Sequence, residues 1–234
     1  MHTSRTLQGM SEIRAFLRTN ETPVYFISPT AFNLLGLDRW VRDLWYVNYF
    51  DSFEGTHPRV FLPQERPYRE FDSIEDINNY LLGHKEVLDF IASRRPGGKA
   101  AFVMFDDETE RLCADIGLEI IHPPASLRRR LDSKITTTRI ADEANVPSVP
   151  NVLGRATSYA ELRALADAAG LGDELVVQTP YGDSGRTTFF IASRDDWEKN
   201  ADDMQDQELK VMRRIRPLEV CVEGVVTRHG VLVG

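Results

Sequence analysis

Apolar residues in the first half of the chain alternate between short unbroken runs and helically spaced sets, an order that predicts a layered α/β domain. The runs are Pro23–Ser28 (PVYFIS), Tyr46–Tyr49, Lys99–Phe105 (KAAFVMF) and Leu118–Ile121, with polar or turn residues around them, as buried strands show. Ile74, Ile77, Leu81, Leu82, Val87, Leu88 and Ile91 recur at helical spacing behind Ser73, which precedes Asp76 by three and marks a helix start. Further helices are expected over residues 11–18 and 108–116, the second closed by Gly117. Leu34, Leu35, Leu37, Trp40, Val41 and Leu44 have mixed helical spacing, and residues 51–69 read as an extended connection with a short strand at Val60–Leu62. This βαβ rhythm implies an open parallel sheet, whose ligands bind beyond the C-terminal strand ends. Ser28, Thr30 and Asp106 stand at such ends as candidate substrate contacts. Asp106 and Asp107 also open a helix, and capping its N-terminus is their expected role.

The second half has a different texture, α+β instead of strictly alternating. His122-Pro123-Pro124 marks the boundary, and Ser126–Asn145 reads as a helical region closed by two prolines, Pro147 and Pro150. Leu127, Leu131, Ile135 and Ile140 or Ala144 can face a core, which leaves Lys134 on a different face. A helix over Tyr159–Ala169, capped by Gly170, leads to two strands flanking residues 180–187. A short helix over Asp195–Asn200 and strands over Leu209–Ile215 and Leu218–Val226 follow.

Composition narrows the function. A chain of 234 residues with 42% hydrophobic content can bury one or two compact cores. A net charge of −8 argues against broad nucleic-acid binding despite the Arg128-Arg129-Arg130 run. No apolar stretch approaches the roughly 20 residues that span a bilayer, and the N-terminal residues lack a secretory core, so a cytoplasmic home is expected. Cys113 and Cys221 have no metal-ligand spacing and are expected as ordinary core residues, as His57 is expected to be an ordinary loop residue.

The most telling chemistry is in LVVQTPYGDSGRTTFFI, residues 175–191. Gly182, Asp183, Ser184 and Gly185 let successive backbone N–H groups turn toward one point, and Arg186 adds charge where an anion would sit. The order strand, loop, strand excludes the Walker and dinucleotide-binding loops, which run from a strand into a helix. An ordinary hairpin turn uses the same residue types. Lys134 is suited to meeting a phosphate as a mobile point charge, and equally to lying in solvent.

Taken in order, these pieces resemble the ATP-grasp superfamily, specifically its biotin carboxylase-like and carboxylate-amine ligase members. Asp132-Ser133-Lys134, then a helix and Asn145–Pro150 (NVPSVP), is similar to the family's Asp-Lys segment and the element after it. Leu175–Gln178 with Pro180–Thr188 resembles the strand and glycine lid over the triphosphate. Leu209–Ile215 resembles the hinge strand that cradles adenine, and Leu218–Gly224 (LEVCVEG) the acidic strand beside it. The resemblance implies a pre-ATP-grasp α/β domain over 1–122 and an incomplete ATP-grasp domain over 123–234. It further implies that Lys134 contacts the phosphates and that the amides of Gly182, Asp183, Ser184, Gly185 and Arg186, with Thr187 beside them, fold over the triphosphate. Met212, Arg213 and Ile215 would lie along adenine, and Glu219 would approach the ribose or the adenine pocket.

The implied activity is an ATP-dependent carboxylate-amine ligase acting through an acylphosphate, or the N-terminal part of one. The implied cofactors are ATP and Mg2+. The family's magnesium-binding carboxylates lie on strands beyond the final GVLVG, so neither metal ligands nor catalytic residues are assigned here. Partners would be the nucleotide and a small-molecule carboxylate, with a homodimer compatible and no nucleic acid or membrane. Two departures stand out. Gln178 sits where many members carry a second phosphate-binding lysine, so phosphate binding should be weaker unless Arg186 or a residue absent here compensates. Arg213 and Arg214 replace the acidic hinge residue common in the family. Gln178 and the expected absence of the metal-binding end motivate the alternative of a catalytically inactive nucleotide-binding or regulatory module, beside a third reading as a nucleotide-free scaffold.

Overall fold

The structure is a computed structural model that describes residues 7, 9–32, 34–51, 56–65, 69–182, 185–216, 224–227 and 230–233. It divides into two compact units, Met1–Arg129 and Arg130–Gly234.

The first unit begins with α1 (Met10–Leu17), β1 (Val24–Ser28), β2 (Leu44–Asn48) and β3 (Val60–Phe61). It continues through α2 (Ile74–Gly83), α3 (Lys85–Ala92), β4 (Lys99–Ala101), α4 (Asp107–Asp115) and β5 (Glu119–Ile120). The strands form one sheet in the order β3-β2-β1-β4-β5, parallel throughout. Tyr25, Ile27, Val47, Leu81, Leu82, Val87 and Cys113 meet in the core between the sheet and the helices after β3, where period-two strands meet period-3.6 helices. Burial pushes the Cys113 thiol up to about 12, as befits an inert core residue. Phe26, Leu44 and Tyr46 point to the other face, which borders a cavity of about 490 Å3 reaching Phe16 and Leu17 of α1. No described helix is long and apolar enough to cross a membrane.

The structure redraws several expected elements. The helical set after Ser73 is two helices, because His84 adopts extended backbone (φ −81, ψ 128) and its ring accepts from the Glu86 N–H at 3.2 Å. The strand expected through Phe105 ends at Ala101, where the Phe102 N–H donates to His122 Nε2 at 3.0 Å instead of to a ladder. Between β1 and β2, residues 34–43 hold only a 3-10 turn at Leu37–Arg39, since Phe32, Gly36 and Asp43 have positive φ and interrupt any α-helix.

The helix α5 (Ala125–Asp132) runs across the unit boundary, and α6 (Lys134–Glu143) follows after a break at Ser133. The second unit continues with β6 (Asn151–Gly154), α7 (Tyr159–Ala168), β7 (Leu175–Gln178), β8 (Thr188–Ile191), α8 (Arg194–Met204) and β9 (Leu209–Arg213). A separate antiparallel pair, β10 (Gly224–Thr227) and β11 (Gly230–Val233), completes it. The main sheet is antiparallel in the order β6-β9-β7-β8, with β6 an edge strand that its NVLG sequence does not announce. Leu175, Val177, Phe189, Ile191, Leu209 and Val211 face a core shared with Leu162, Ala166, Trp197 and Met204 of α7 and α8. Alternation along the strands therefore sends Val176, Gln178, Thr188, Phe190, Lys210 and Met212 to the opposite face of that sheet, where Arg139 of α6 pairs with Glu208 beside β9. Most of the expected strand Leu218–Val226, with Cys221, lies outside the described residues.

Candidate functional site

Residues 179–187 join β7 to β8 and are tied across their base, the Thr179 N–H donating to the Thr187 carbonyl at 3.3 Å and the Thr188 N–H to the Gly185 carbonyl at 3.1 Å. Gly182 has φ 138, and a Cβ there would lie 2.2 Å from Thr187 Oγ1. Only glycine fits that close approach. Gly185 also has positive φ, 78, but a Cβ there would meet nothing within 4 Å. Arg186 is exposed and makes no ion pair among the described residues. Asp183 and Ser184 lie outside the described residues.

Lys134 is the first residue of α6 because Ser133, extended at φ −69 and ψ 115, caps that helix by accepting from the Thr136 N–H. The capped start aims two groups of Lys134 at the turn. Its backbone N–H donates to the Pro180 carbonyl at 2.8 Å, and its Nζ donates to the Gly182 carbonyl at 2.7 Å. The lysine and the glycine turn, 48 residues apart in sequence, thus form one constellation.

The outer face of the sheet continues this surface. Gln178 Nε2 donates to Thr188 Oγ1 at 3.0 Å, holding the carboxamide against the neighbouring strand. Met212 is half-buried opposite Val176, and Phe190 lies beside them, its ring 4.9 Å from the Arg214 guanidinium carbon. Lys210, which the sequence reading treated only as part of a strand, stands directly opposite Gln178.

No protein-family profile matches the chain. Over 111 residues it is 28% identical to the mitochondrial methylcrotonoyl-CoA carboxylase subunit alpha of Arabidopsis thaliana, a stretch covering 45% of this chain and 15% of that protein. Among solved structures it is similar to N5-carboxyaminoimidazole synthase from Aspergillus clavatus in complex with ADP and 5-aminoimidazole ribonucleotide. The TM-score is 0.57 at 15% identity, over 91% of this chain and 52% of that one. The fold is that of the ATP-grasp enzymes. Two further ATP-grasp structures agree. The Staphylococcus aureus N5-carboxyaminoimidazole synthetase complexed with ADP matches at TM-score 0.52 and 10% identity, over 87% of this chain and 49% of that one. The biotin carboxylase domain dimer of Hydrogenobacter thermophilus 2-oxoglutarate carboxylase, with MgADP, ADP and bicarbonate, matches at TM-score 0.52 and 13% identity, over 82% and 44%. The chain thus spans about half the length of these ATP-grasp structures.

Within this fold the remaining candidates separate. Arg213 points away from Met212: its Nη2 donates to the Gly170 carbonyl at 2.6 Å and its Nε to the Leu171 carbonyl at 3.3 Å. Its guanidinium closes the C-terminal end of α7, so only its backbone is left for an adenine slot. Ile215 lies beyond the end of β9 and is 55% exposed. Glu219 lies outside the described residues. In the first unit, Ser28 is fully buried, its hydroxyl donating to the Thr30 carbonyl and accepting from Asn48 Nδ2, so it braces a turn and is not open to substrate. Asp106 caps α4 in a capping box with Thr109, the expected role. Burial raises its carboxyl, but hydrogen bonds from Thr109 and Asn79 outweigh that and hold it below the usual carboxylate range. Among the described residues no three His, Cys, Asp or Glu side chains gather to hold a metal ion.

Proposed function

We propose that this chain carries the nucleotide-binding part of an ATP-dependent carboxylate-amine ligase. The observation that carries the reading is the contact of Lys134 Nζ with the Gly182 carbonyl, which puts a mobile ammonium at the glycine turn. An anion arriving there would take the ammonium from the carbonyl as a stronger, charged acceptor. Turn amides and cations would neutralise the triphosphate, while Val176 and Met212 offer an apolar surface to the base. Preorganised donors of this kind are what phosphoryl transfer asks of a protein, since little covalent chemistry falls to the side chains.

In the proposed reaction a substrate carboxylate oxygen attacks the γ-phosphorus and the bond to the β-phosphate oxygen breaks, giving an acylphosphate and ADP. An amine then attacks the acyl carbon, the C–O bond to phosphate breaks, and the amine gives up a proton as the amide forms. Mg2+ would neutralise the phosphates in this chemistry, held by groups other than those described. Acid and amine would be small molecules, in a soluble compartment such as the cytoplasm. A binding module without catalysis is the second reading, favoured by Gln178 in place of a charged residue.

Thermal unfolding with MgATP tests the binding step: ligand at 100 times its dissociation constant stabilises by about 2.7 kcal/mol. ADP release by the full-length protein across a panel of carboxylates and amines tests the reaction. Stabilisation without ADP release on any acid leaves the binding module. No stabilisation overturns both readings.

A further inference from the structure

Gln178, the last residue of β7 before the glycine turn, is neutral, and the register of the sheet places a lysine directly beside it. In the β7–β9 ladder Gln178 and Lys210 are direct partners. Side chains of directly opposed antiparallel residues project from the same face, with Cβ atoms about 4.5–5.5 Å apart. Both therefore leave the sheet on the outer face that also presents Met212 and Val176. On the opposite face Val177 and Val211 fill the core.

The surroundings of Lys210 leave its charge available. Among the described residues its ammonium makes neither an ion pair nor a hydrogen bond, while its backbone belongs to the ladder. Glu208, two residues earlier, is held by Arg139 at 2.6 Å. Asp142 of α6 acts on the ammonium through space without reaching ion-pair distance. Burial lowers the lysine's pKa, with Asp142 opposing, which is the mark of a half-buried ammonium lacking a close counter-ion. The two neighbouring polar groups are already engaged, Gln178 with Thr188 and Lys134 with Gly182. An anionic ligand on this face would supply the missing counter-ion.

We infer that Lys210 is the second phosphate-binding cation of this site, its charge moved across the ladder from the position Gln178 occupies. Gln178 then acts as a neutral donor that holds Thr188 and leaves room for the longer side chain opposite. The assignment rests on the nucleotide-site reading and adds a residue to it. It also removes the need for Arg186, or for a residue outside the chain, to make up the deficit.

The test is a charge transposition. Dissociation constants for ATP, ADP and adenosine are measured by calorimetry for the unaltered protein, Lys210→Met, Lys210→Arg, and the double variant Lys210→Met with Gln178→Lys. Lys210→Met is expected to weaken ATP and ADP by about tenfold or more, the scale of one charge-assisted contact, and to leave adenosine unchanged. Lys210→Arg should keep most of the affinity, and Gln178→Lys should restore it in the Met background, which also shows that the variant is folded. The inference is overturned if Lys210→Met binds ATP as the unaltered protein does, if adenosine weakens equally, or if the transposed lysine restores nothing. A distinct result, no binding of any of the three ligands by the unaltered protein, overturns the nucleotide site itself and this assignment with it.

Discussion

Lys134 Nζ donates to the Gly182 carbonyl at 2.7 Å while the Lys134 backbone N–H donates to the Pro180 carbonyl, so the start of α6 and the turn between β7 and β8 are joined twice. The side-chain bond is exposed and its net worth is about 0.5–1.5 kcal/mol. Lys134→Met should therefore leave the global unfolding midpoint nearly unchanged while loosening the turn. Hydrogen exchange at the Thr179 and Thr188 amides, which close its base, should speed up several-fold. MgATP should slow that exchange in the unaltered protein and fail to do so in the variant. Equal protection of both proteins by MgATP would remove Lys134 from the nucleotide site.

Gly182 and Gly185 share positive φ and differ in room. Alanine at either position meets the strain of a left-handed backbone, about 1–2 kcal/mol. At Gly182 it also meets Thr187 Oγ1 at 2.2 Å and Thr187 Cβ at 2.8 Å, so the hairpin must open or Thr187 must move. Gly182→Ala should cost about 2–4 kcal/mol in urea unfolding and Gly185→Ala about half of that. Equal costs would show that Thr187 yields freely and that the close approach has no structural role.

What the chain order discloses and what it conceals follow from the range of the interactions. Helix starts at Ser73 and Asp106 are legible because an N-cap and the backbone N–H it accepts from lie within three residues. The break at His84 is not, since apolar spacing carries on through it and only the ring's bond to the Glu86 amide marks the change. Leu34 to Leu44 is ambiguous for the converse reason: its apolar residues have mixed helical spacing, and the left-handed positions among them leave only a 3-10 turn. Lys134 and the glycine turn are each visible as sequence, and their meeting is a matter of the fold. Lys210 was missed because its partnership with Gln178 requires β9 to pair with β7 and to skip β8, a strand order that no local pattern encodes.

Arg213 offers a separation of side chain from backbone at the end of β9. Its guanidinium meets the Gly170 and Leu171 carbonyls, where a cation at a helix C-terminus is worth about 0.3–1 kcal/mol. Arg213→Ala should lower stability by about that amount and leave ATP affinity within roughly twofold. On the proposed nucleotide site, Met212→Ala should weaken ATP and adenosine together, because it removes apolar surface proposed for the base and no phosphate contact. A large loss of ATP affinity in Arg213→Ala would reverse the assignment of its side chain.

Asp106 gives the first unit a signature in acid. Its carboxylate accepts from the Thr109 N–H at 2.8 Å and from Asn79 Nδ2 at 3.2 Å, and these bonds hold its folded pKa below the usual aspartate value. A folded value below the unfolded one means that the unfolded chain binds the proton more readily. The stabilisation is therefore complete above the ordinary aspartate pKa of about 3.9 and fades as pH falls through the lower folded value. Asp106→Asn keeps an oxygen for the cap but cannot titrate, and Asp106→Ala removes the cap at a cost of about 0.5–2 kcal/mol near neutrality. Urea unfolding should give a stability gap between the unaltered protein and Asp106→Asn that is constant from about pH 7 to about pH 5 and narrows below about pH 4. A gap that stays level or widens in acid would mean that the carboxylate is not stabilised by its cap and that Thr109 and Asn79 hold it in name only.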